Sequence, residues 1–467
     1  MNKNLFMFWA VLLLLFTRAG AQERWTVHEW GTFTSLQDER GQAIGGINTD
    51  DEPVPAFVHR LENFNILPAG DVPQVFFKGL PAGHPDVTMR LETPVIYFHP
   101  PKSEAKIQTI SVAVKFNGGW LTEFYPDAAT HASGLKDSTN GVARLLSSSD
   151  STLEWNDLKI GGHWPVTKTT DHVWTSPRGA ESAWVQTTNG ESEQFLFYRG
   201  VAHINAPLQV SRDAGSGRLM IRSQLDGLPG GKPLEIRSLW LVDIRPGGKI
   251  AFRSLPPLFA GHNSNEILAD TAADFAAGDF SSGNFNKLKT SLQAALVSEG
   301  LFADEAQALL NTWEVSYFKS PGLRVFFLVP REWTDFYLPL EVSRPAVINR
   351  VMVGRIELVT PKQRLALQKI ARYPTAEISL QAGQLATNFV SHLGTMTSDW
   401  DQVVAGKKPL SSFMTVPDSY RTFLELGRFR DALILDEVKA HPTEALTNFV
   451  ASYRLQAYQP APTAPQL

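Results

Sequence analysis

Alternating hydrophobic and polar positions dominate the first half of the chain and predict β structure. From Trp25 to about Pro257, runs rich in Val, Ile, Phe, Thr and Trp are separated by turn residues. One run covers residues 110–116, and Asn117-Gly118-Gly119 separates it from the next run at 120–124. Because Asn and Gly tolerate the positive φ of tight turns, this stretch predicts a β-hairpin.

The periodicity changes after Pro257. Residues 288–298 and 304–313 have helical spacing and predict a helical hairpin, whereas strands return at 323–329 and 351–359. Thr360-Pro361 followed by Gln363 has the form of a helix start, and most of the chain beyond it is helical.

These patterns predict a multidomain α+β protein. We expect a large antiparallel β-rich, sandwich-like domain at 22–258, a helical hairpin plus strands at 259–360, and a helical region at 361–458. Residues 459–467 contain three prolines and predict a disordered tail.

The first 21 residues have the pattern of a signal peptide. Lys3 precedes an apolar run of about a dozen residues, and Ala19-Gly20-Ala21 forms a small-x-small cleavage site. An uncleaved anchor is the alternative, but the apolar run is short for a membrane span. We therefore expect export to the periplasm or outside the cell, with no stable membrane anchor after cleavage.

Composition restricts the function further. The 467 residues carry a net charge of −4 and no basic run, which disfavours nucleic acid as a partner. The chain has no cysteine, so disulfides and thiolate chemistry are excluded. A large exported chain without disulfides is typical of bacteria.

The most unusual local composition follows the signal peptide, at residues 25–34. His28 and Glu29 stand side by side there, but the His-Glu-x-x-His motif of zinc proteases is missing. On a regular strand His28 shares a face with Trp30, while Glu29 faces away. The sequence also lacks a Gly-x-Ser-x-Gly elbow and a P-loop.

Histidines and carboxylates of the first third could form a divalent metal site, since such sites gather His, Asp and Glu ligands by folding. The alternative is a structural role for each residue. The candidate metal ligands are His28, His59, His99 and His131, and the candidate catalytic carboxylates are Glu29, Asp51 and Glu123.

Tryptophans offer a second kind of site, because indole faces can stack on sugar rings or peptide side chains. His28, Trp30 and Trp120 are the candidates for such a ligand-binding surface, and the wider pool of tryptophans also includes Trp155, Trp164, Trp174 and Trp184. The alternative is that the tryptophans fill the core, which we expect for Trp155, Trp174 and Trp184.

Three stretches carry a resemblance to exported bacterial proteins of unassigned function. They are His-Glu-Trp-Gly-Thr-Phe-Thr at 28–34, Met-Arg-Leu-Glu-Thr-Pro-Val at 89–95, and Val-Gly-Arg-Ile-Glu-Leu at 353–358. The resemblance runs along most of the mature chain. It implies export, and it brings no reaction, ligand or site residue with it.

Three functions remain open from the sequence. The first is an exported protein that binds a polymer or protein partner through an aromatic and histidine-containing surface. The second is a metal-dependent hydrolase of envelope or extracellular polymers. The third is a structural scaffold whose helical end docks a partner.

Overall fold

The computed structural model describes residues 24–49, 53–61, 76–77, 80–81, 83–101, 107–134, 144–224, 234–260, 267–393 and 415–455. The predicted signal peptide at 1–21 and the predicted tail at 459–467 lie outside the described residues. Within the described parts, strands are concentrated before residue 359 and helices after it. The α+β class predicted from the sequence is therefore confirmed.

Strands form a nine-stranded sheet, a six-stranded sheet and smaller ribbons among the described residues. In chain order they are β1 Trp25–Gln37, β2 His59–Arg60, β3 Phe76–Phe77, β4 Leu80–Pro81, β5 Met89–His99, β6 Gln108–Asn117, β7 Gly119–Tyr125, β8 Ala129–Ala132, β9 Asp150–Gly162, β10 Trp184–Gln186, β11 Ser192–Glu193, β12 Leu196–Ala202, β13 Leu208–Arg212, β14 Leu219–Ser223, β15 Leu234–Ile236, β16 Leu239–Arg245, β17 Lys249–Leu255, β18 Leu258–Ala260, β19 Ile267–Thr271, β20 Gly322–Leu328, β21 Leu340–Val342 and β22 Ala346–Leu358. The larger sheet has the order β17-β16-β20-β22-β1-β5-β12-β7-β2.

Strand β1 lies at the centre of the nine-stranded sheet. It pairs in parallel with β22 and antiparallel with β5, and nearly all of it is buried. Gly31 fits where a side chain would collide, because a Cβ there would lie 2.9 Å from the Met352 sulfur and 3.0 Å from the Pro94 Cα. The unusual stretch at 25–34 is therefore an interior strand.

Helices follow the predicted positions closely. The predicted helical hairpin consists of α2 and α3, and Thr360 caps α5 in the predicted way, with its hydroxyl accepting from the Gln363 N–H. The helices are α1 His172–Thr175, α2 Asn284–Ser298, α3 Ala303–Thr312, α4 Arg331–Tyr337, α5 Pro361–Ile370, α6 Thr375–Leu393, α7 Asp418–Leu424, α8 Arg430–Ala440 and α9 Glu444–Ser452.

The two faces of the large sheet pack against different layers. Because side chains alternate along a strand, β1 and β5 contribute to both cores. One core joins them to strands β6 and β9 of the six-stranded sheet through Val27, Phe98, Val112, Val114, Trp155 and Leu158. The other core joins them to helices α2 and α3 through Trp30, Val95, Tyr97, Leu292, Leu296 and Leu309.

The hairpin predicted around Asn117-Gly118-Gly119 is wrong, although the turn itself is present. Gly118 has a φ of +81°, as a tight turn needs. However, β6 pairs with β9 in the smaller sheet and β7 pairs with β12 in the larger one. The turn thus carries the chain from one sheet to the other.

The predicted border at residues 258/259 runs through the large sheet. Strands β20 and β22 follow the border in sequence, yet they lie between β16 and β1, which precede it. The helices after residue 360 contribute to a third core with sheet residues such as Leu36 and Val201. The division into domains and the sandwich-like description of the N-terminal part stay predictions.

Candidate metal site

Two strands bring His28 and His99 onto the face of the sheet that α3 covers. In the antiparallel pairing of β1 with β5, His28 lies opposite Tyr97, and His99 is two residues further along β5. Residues two apart on a strand share a face, so the two imidazoles are diagonal neighbours. Their ring centroids are 5.0 Å apart.

Glu305 reaches both histidines from the first turn of α3. Its Oε2 is 2.7 Å from His28 Nδ1, and its Oε1 is 2.9 Å from His99 Nε2. Oε2 also accepts the Phe302 N–H at 2.8 Å, which caps the helix start. The carboxylate is thus held by its own helix and by two strands.

Glu305 is anionic in this setting. Burial raises the pKa of a carboxyl group, but the hydrogen bonds from His28 and His99 oppose that effect and lower the pKa of Glu305 to about 2. The side chains of Glu305 and His28 are 0% and 1% exposed, whereas His99 is 18% exposed. A buried negative charge therefore faces two titratable donors, and solvent reaches them from the His99 side.

Asn349 and Phe302 complete the surroundings of the histidines. Asn349 lies opposite His28 in the parallel pairing with β22, and its Nδ2 is 3.1 Å from His28 Nε2. These contacts fit the His28 tautomer in which Nδ1–H donates to Glu305 and Nε2 accepts from Asn349. The Phe302 ring packs against His28 and His99 at centroid distances of 4.6 and 4.8 Å.

The three side chains offer a donor set that suits a transition metal. One nitrogen from each histidine and one Glu305 oxygen all lie within 4.8 Å of one another. Zinc bonds of roughly 2.0–2.2 Å in tetrahedral geometry would separate ligand atoms by about 3.3 Å. The two N···O contacts, at 2.7 and 2.9 Å, are about half an ångström shorter than that spacing, and the separations within the set of three ligand atoms are at most 4.8 Å. Rotation of the Asn349 amide would then provide an oxygen acceptor for His28 Nε2–H.

Glu29 lies on the opposite face of β1, as strand alternation predicts. It forms an ion pair with Arg350 at 2.6 Å and accepts a hydrogen bond from the Tyr198 hydroxyl. Arg350 also contacts Asp335 at 2.9 Å. We call this set the Glu29–Arg350 network. The Glu29 carboxylate is thus ion-paired with Arg350 on the face of β1 opposite to His28. Glu29 therefore cannot be a ligand or a catalytic base at the candidate metal site.

The other candidates are distributed elsewhere. Glu123 is fully buried and pairs with Arg199 and with Arg60, so it is not a free base. His59 lies on edge strand β2, 2.9 Å from Glu191, and His131 is exposed on β8. Neither belongs to the three-residue group found among the described residues. Asp51 lies outside the described residues.

The predicted aromatic surface at Trp30 and Trp120 is wrong, because both indoles are fully buried. Trp30 packs in the core beneath α2 and α3. Trp120 donates its Nε1–H to the Ser133 carbonyl at 2.9 Å. Stacking on an external polymer requires an accessible ring face, which neither residue has.

Sequence reasoning missed Glu305 and Asn349. Glu305 is 277 residues from His28 and 206 from His99, Asn349 is 321 residues from His28, and neither belongs to a motif. The one local signal was that Asp304 and Glu305 open a helix, and acidic residues in a first turn are ordinary capping residues.

Comparison with known proteins leaves the function open. The sequence matches no protein-family model and no curated protein. Among solved structures, the chain is similar to the Fcho1 Mu homology domain of Danio rerio with bound Eps15 peptide. That alignment has 8% sequence identity, covers 73% of this chain and 97% of that chain, and gives a TM-score of 0.25. A TM-score of 0.25 does not indicate a shared fold.

Across the described ranges, every helix is too short or too polar to cross a bilayer.

Proposed function

We propose that this protein is an exported, metal-dependent hydrolase whose metal is held by His28, His99 and Glu305. The observation that carries the proposal is the convergence of two imidazoles and one carboxylate from β1, β5 and α3. Two histidines and a glutamate are a known ligand set of catalytic zinc, which leaves a fourth position for water. The sequence pattern of residues 1–21 supports the export part of the proposal.

Each protein residue has a distinct part in this scheme. Glu305 supplies a negative charge that stays ionised at neutral pH, and Asn349 orients His28 through Nε2. His99, the ligand with solvent access, lies on the side where water and substrate enter. A bound divalent metal would lower the pKa of a coordinated water and so supply the nucleophile for hydrolysis.

A purely structural role is the competing interpretation. The same hydrogen bonds fasten α3 to the sheet without any metal. An informative experiment therefore has to separate loss of metal from loss of stability. Replacing His99 by Gln does so, because the Gln side-chain N–H can still donate to Glu305 whereas an amide is a poor zinc ligand.

The test begins with residues 22–467, purified from an export-competent host without chelator. Elemental analysis of the wild type should find about one metal ion per chain, and competition with a zinc chelator gives its affinity. We expect His99→Gln to weaken metal binding at least 10-fold, as loss of one of three protein ligands requires. The melting temperature should change little.

His59→Gln is the matched control, because His59 also pairs with a glutamate but belongs to no three-ligand group within the described ranges. It should bind metal as the wild type does. The proposal fails if the wild type neither retains nor takes up metal, or if His99→Gln binds it equally well. The hydrolase assignment further requires turnover that chelation abolishes and added zinc restores.

A further inference from the structure

An open cavity lies beside the end of β5, the strand that carries His99. Its volume is about 450 Å³, within the range of small-ligand sites. Its walls come from the end of β9, from residues 180–184 and from Pro100, which follows His99. Among its lining residues Glu181 is the one carboxylate, and no Lys or Arg contributes. We call it the Trp184 cavity.

Aromatic rings are concentrated around this cavity. Trp184 pairs with Gly162 across β10 and β9, and the Trp164 ring lies against Gly162 so closely that a Cβ there would meet it at 2.3 Å. His163, which is exposed, packs edge-on against Trp184 with 5.3 Å between centroids. Both indoles are half-buried. This accessibility distinguishes them from Trp30 and Trp120.

Hydrogen bonds tie the cavity walls to the metal-ligating elements. The Ala183 N–H donates to the Phe98 carbonyl at 2.8 Å, one residue before His99. The Glu181 N–H donates to Asp304 at 2.8 Å, one residue before Glu305. His99 and Glu305 therefore each follow directly after a residue that is hydrogen-bonded to the cavity wall.

We propose that the Trp184 cavity binds a neutral glycan chain and is the substrate site of the His28–His99–Glu305 centre. This inference deepens the proposed function and rests on it. Indole faces suit the C–H faces of sugar rings, and the Gln194 amide and Glu181 carboxylate suit sugar hydroxyls. An acidic polymer is disfavoured because the lining has a carboxylate and no Lys or Arg.

Affinity electrophoresis tests the substrate class directly. The mature protein is run through gels that contain a neutral glucan derivative (hydroxyethylcellulose), an acidic polysaccharide (alginate) or a polypeptide (casein). The neutral glucan should retard the wild type. Trp184→Ala should weaken that retardation at least 10-fold, because Trp184 lines the cavity, and Trp184→Phe should restore much of it because an aromatic face remains.

Phe259→Ala is the control, since Phe259 is 66% exposed and does not line the cavity. It should behave as the wild type does. Equal retardation of the tryptophan variants, no retardation of the wild type by the glucan, or retardation by casein or alginate alone would overturn the inference.

Metal content separates this test from the previous one. Trp184→Ala should keep its metal, because Trp184 is not a ligand. A protein that lacks metal but shows tryptophan-dependent glucan binding would retain the glycan site and refute the hydrolase. A protein that holds metal and ignores the glucan would refute the substrate class alone.

Discussion

Strand β1 places two buried carboxylate systems on its opposite faces, and they differ in their partners. On one face Glu29 is bonded to Arg350 and Tyr198. On the other, His28 and His99 hold Glu305. An arginine guanidinium is always charged and does not bind metal ions, whereas a neutral imidazole is a common metal ligand. The first system is consequently closed to other cations, while the second has the side chains of a candidate metal site.

The comparison explains why the adjacent residues His28 and Glu29 do not act together. Burial costs a charge its hydration, and only a matched partner offsets that cost. Glu29 finds its partner in Arg350, directly opposite on β22. His28 finds Asn349, the preceding residue of the same strand. The register of β1 against β22 therefore places Glu29 beside Arg350 in a structural ion pair. The same register places His28 beside Asn349 in the candidate metal site.

The largest effect is expected from Arg350→Ala. It leaves Glu29 buried without its cation, which should lower the free energy of unfolding by about 3–5 kcal/mol. Urea denaturation measures the change. Metal affinity should stay as in the wild type, because Arg350 faces away from His28. Arg331→Ala, which breaks a half-exposed pair with Asp335, should cost at most about 1 kcal/mol.

Acidification of the chelator-treated protein should lower its free energy of unfolding by an intermediate amount. The pKa of Glu305 is lowered from 4.5 to about 2, so its contribution to stability is complete above pH 4.5 and is lost as pH falls toward 2. The loss should reach about 3 kcal/mol at most. Glu305→Gln should lack this component when unfolding is followed across the same pH range. Identical pH profiles for the two proteins would contradict the role of the histidine hydrogen bonds.

The smallest effect is expected from Asn349→Ala. Removing the group that contacts His28 Nε2 should weaken metal binding about 10-fold, equivalent to about 1.4 kcal/mol. The zinc competition assay measures it. Asn349→Asp provides the opposite change, because a carboxylate accepts the Nε2–H and raises ligand basicity. If alanine and aspartate behave alike, Asn349 does not orient His28.

The sequence predicted local features of the site well. Period-two alternation correctly assigned His28 and Trp30 to one face of β1 and Glu29 to the other. The helical hairpin that carries Glu305 was also predicted, from the spacing of apolar residues at 288–298 and 304–313. These features depend on contacts between near neighbours, which a sequence pattern records directly.

The sequence did not predict which strands pair when they are far apart along the chain. Nothing local shows that β1 lies between β5 and β22, and this arrangement alone joins His99 and Asn349 to His28. The turn at Gly118 was predicted correctly while its strands entered different sheets. The sequence also predicted the burial of individual tryptophans only in part. Trp155 and Trp174 are buried as expected, whereas Trp184 is only half-buried.

The position of β22 has a consequence for biosynthesis. Its partner β1 leaves the ribosome more than three hundred residues earlier, and until β22 follows, one side of β1 has unpaired backbone groups. Such an open edge recruits other strands and promotes aggregation. A nascent chain therefore exposes this edge until about residue 358 has emerged. A ribosome stalled before residue 346 would release a product whose central sheet is permanently incomplete.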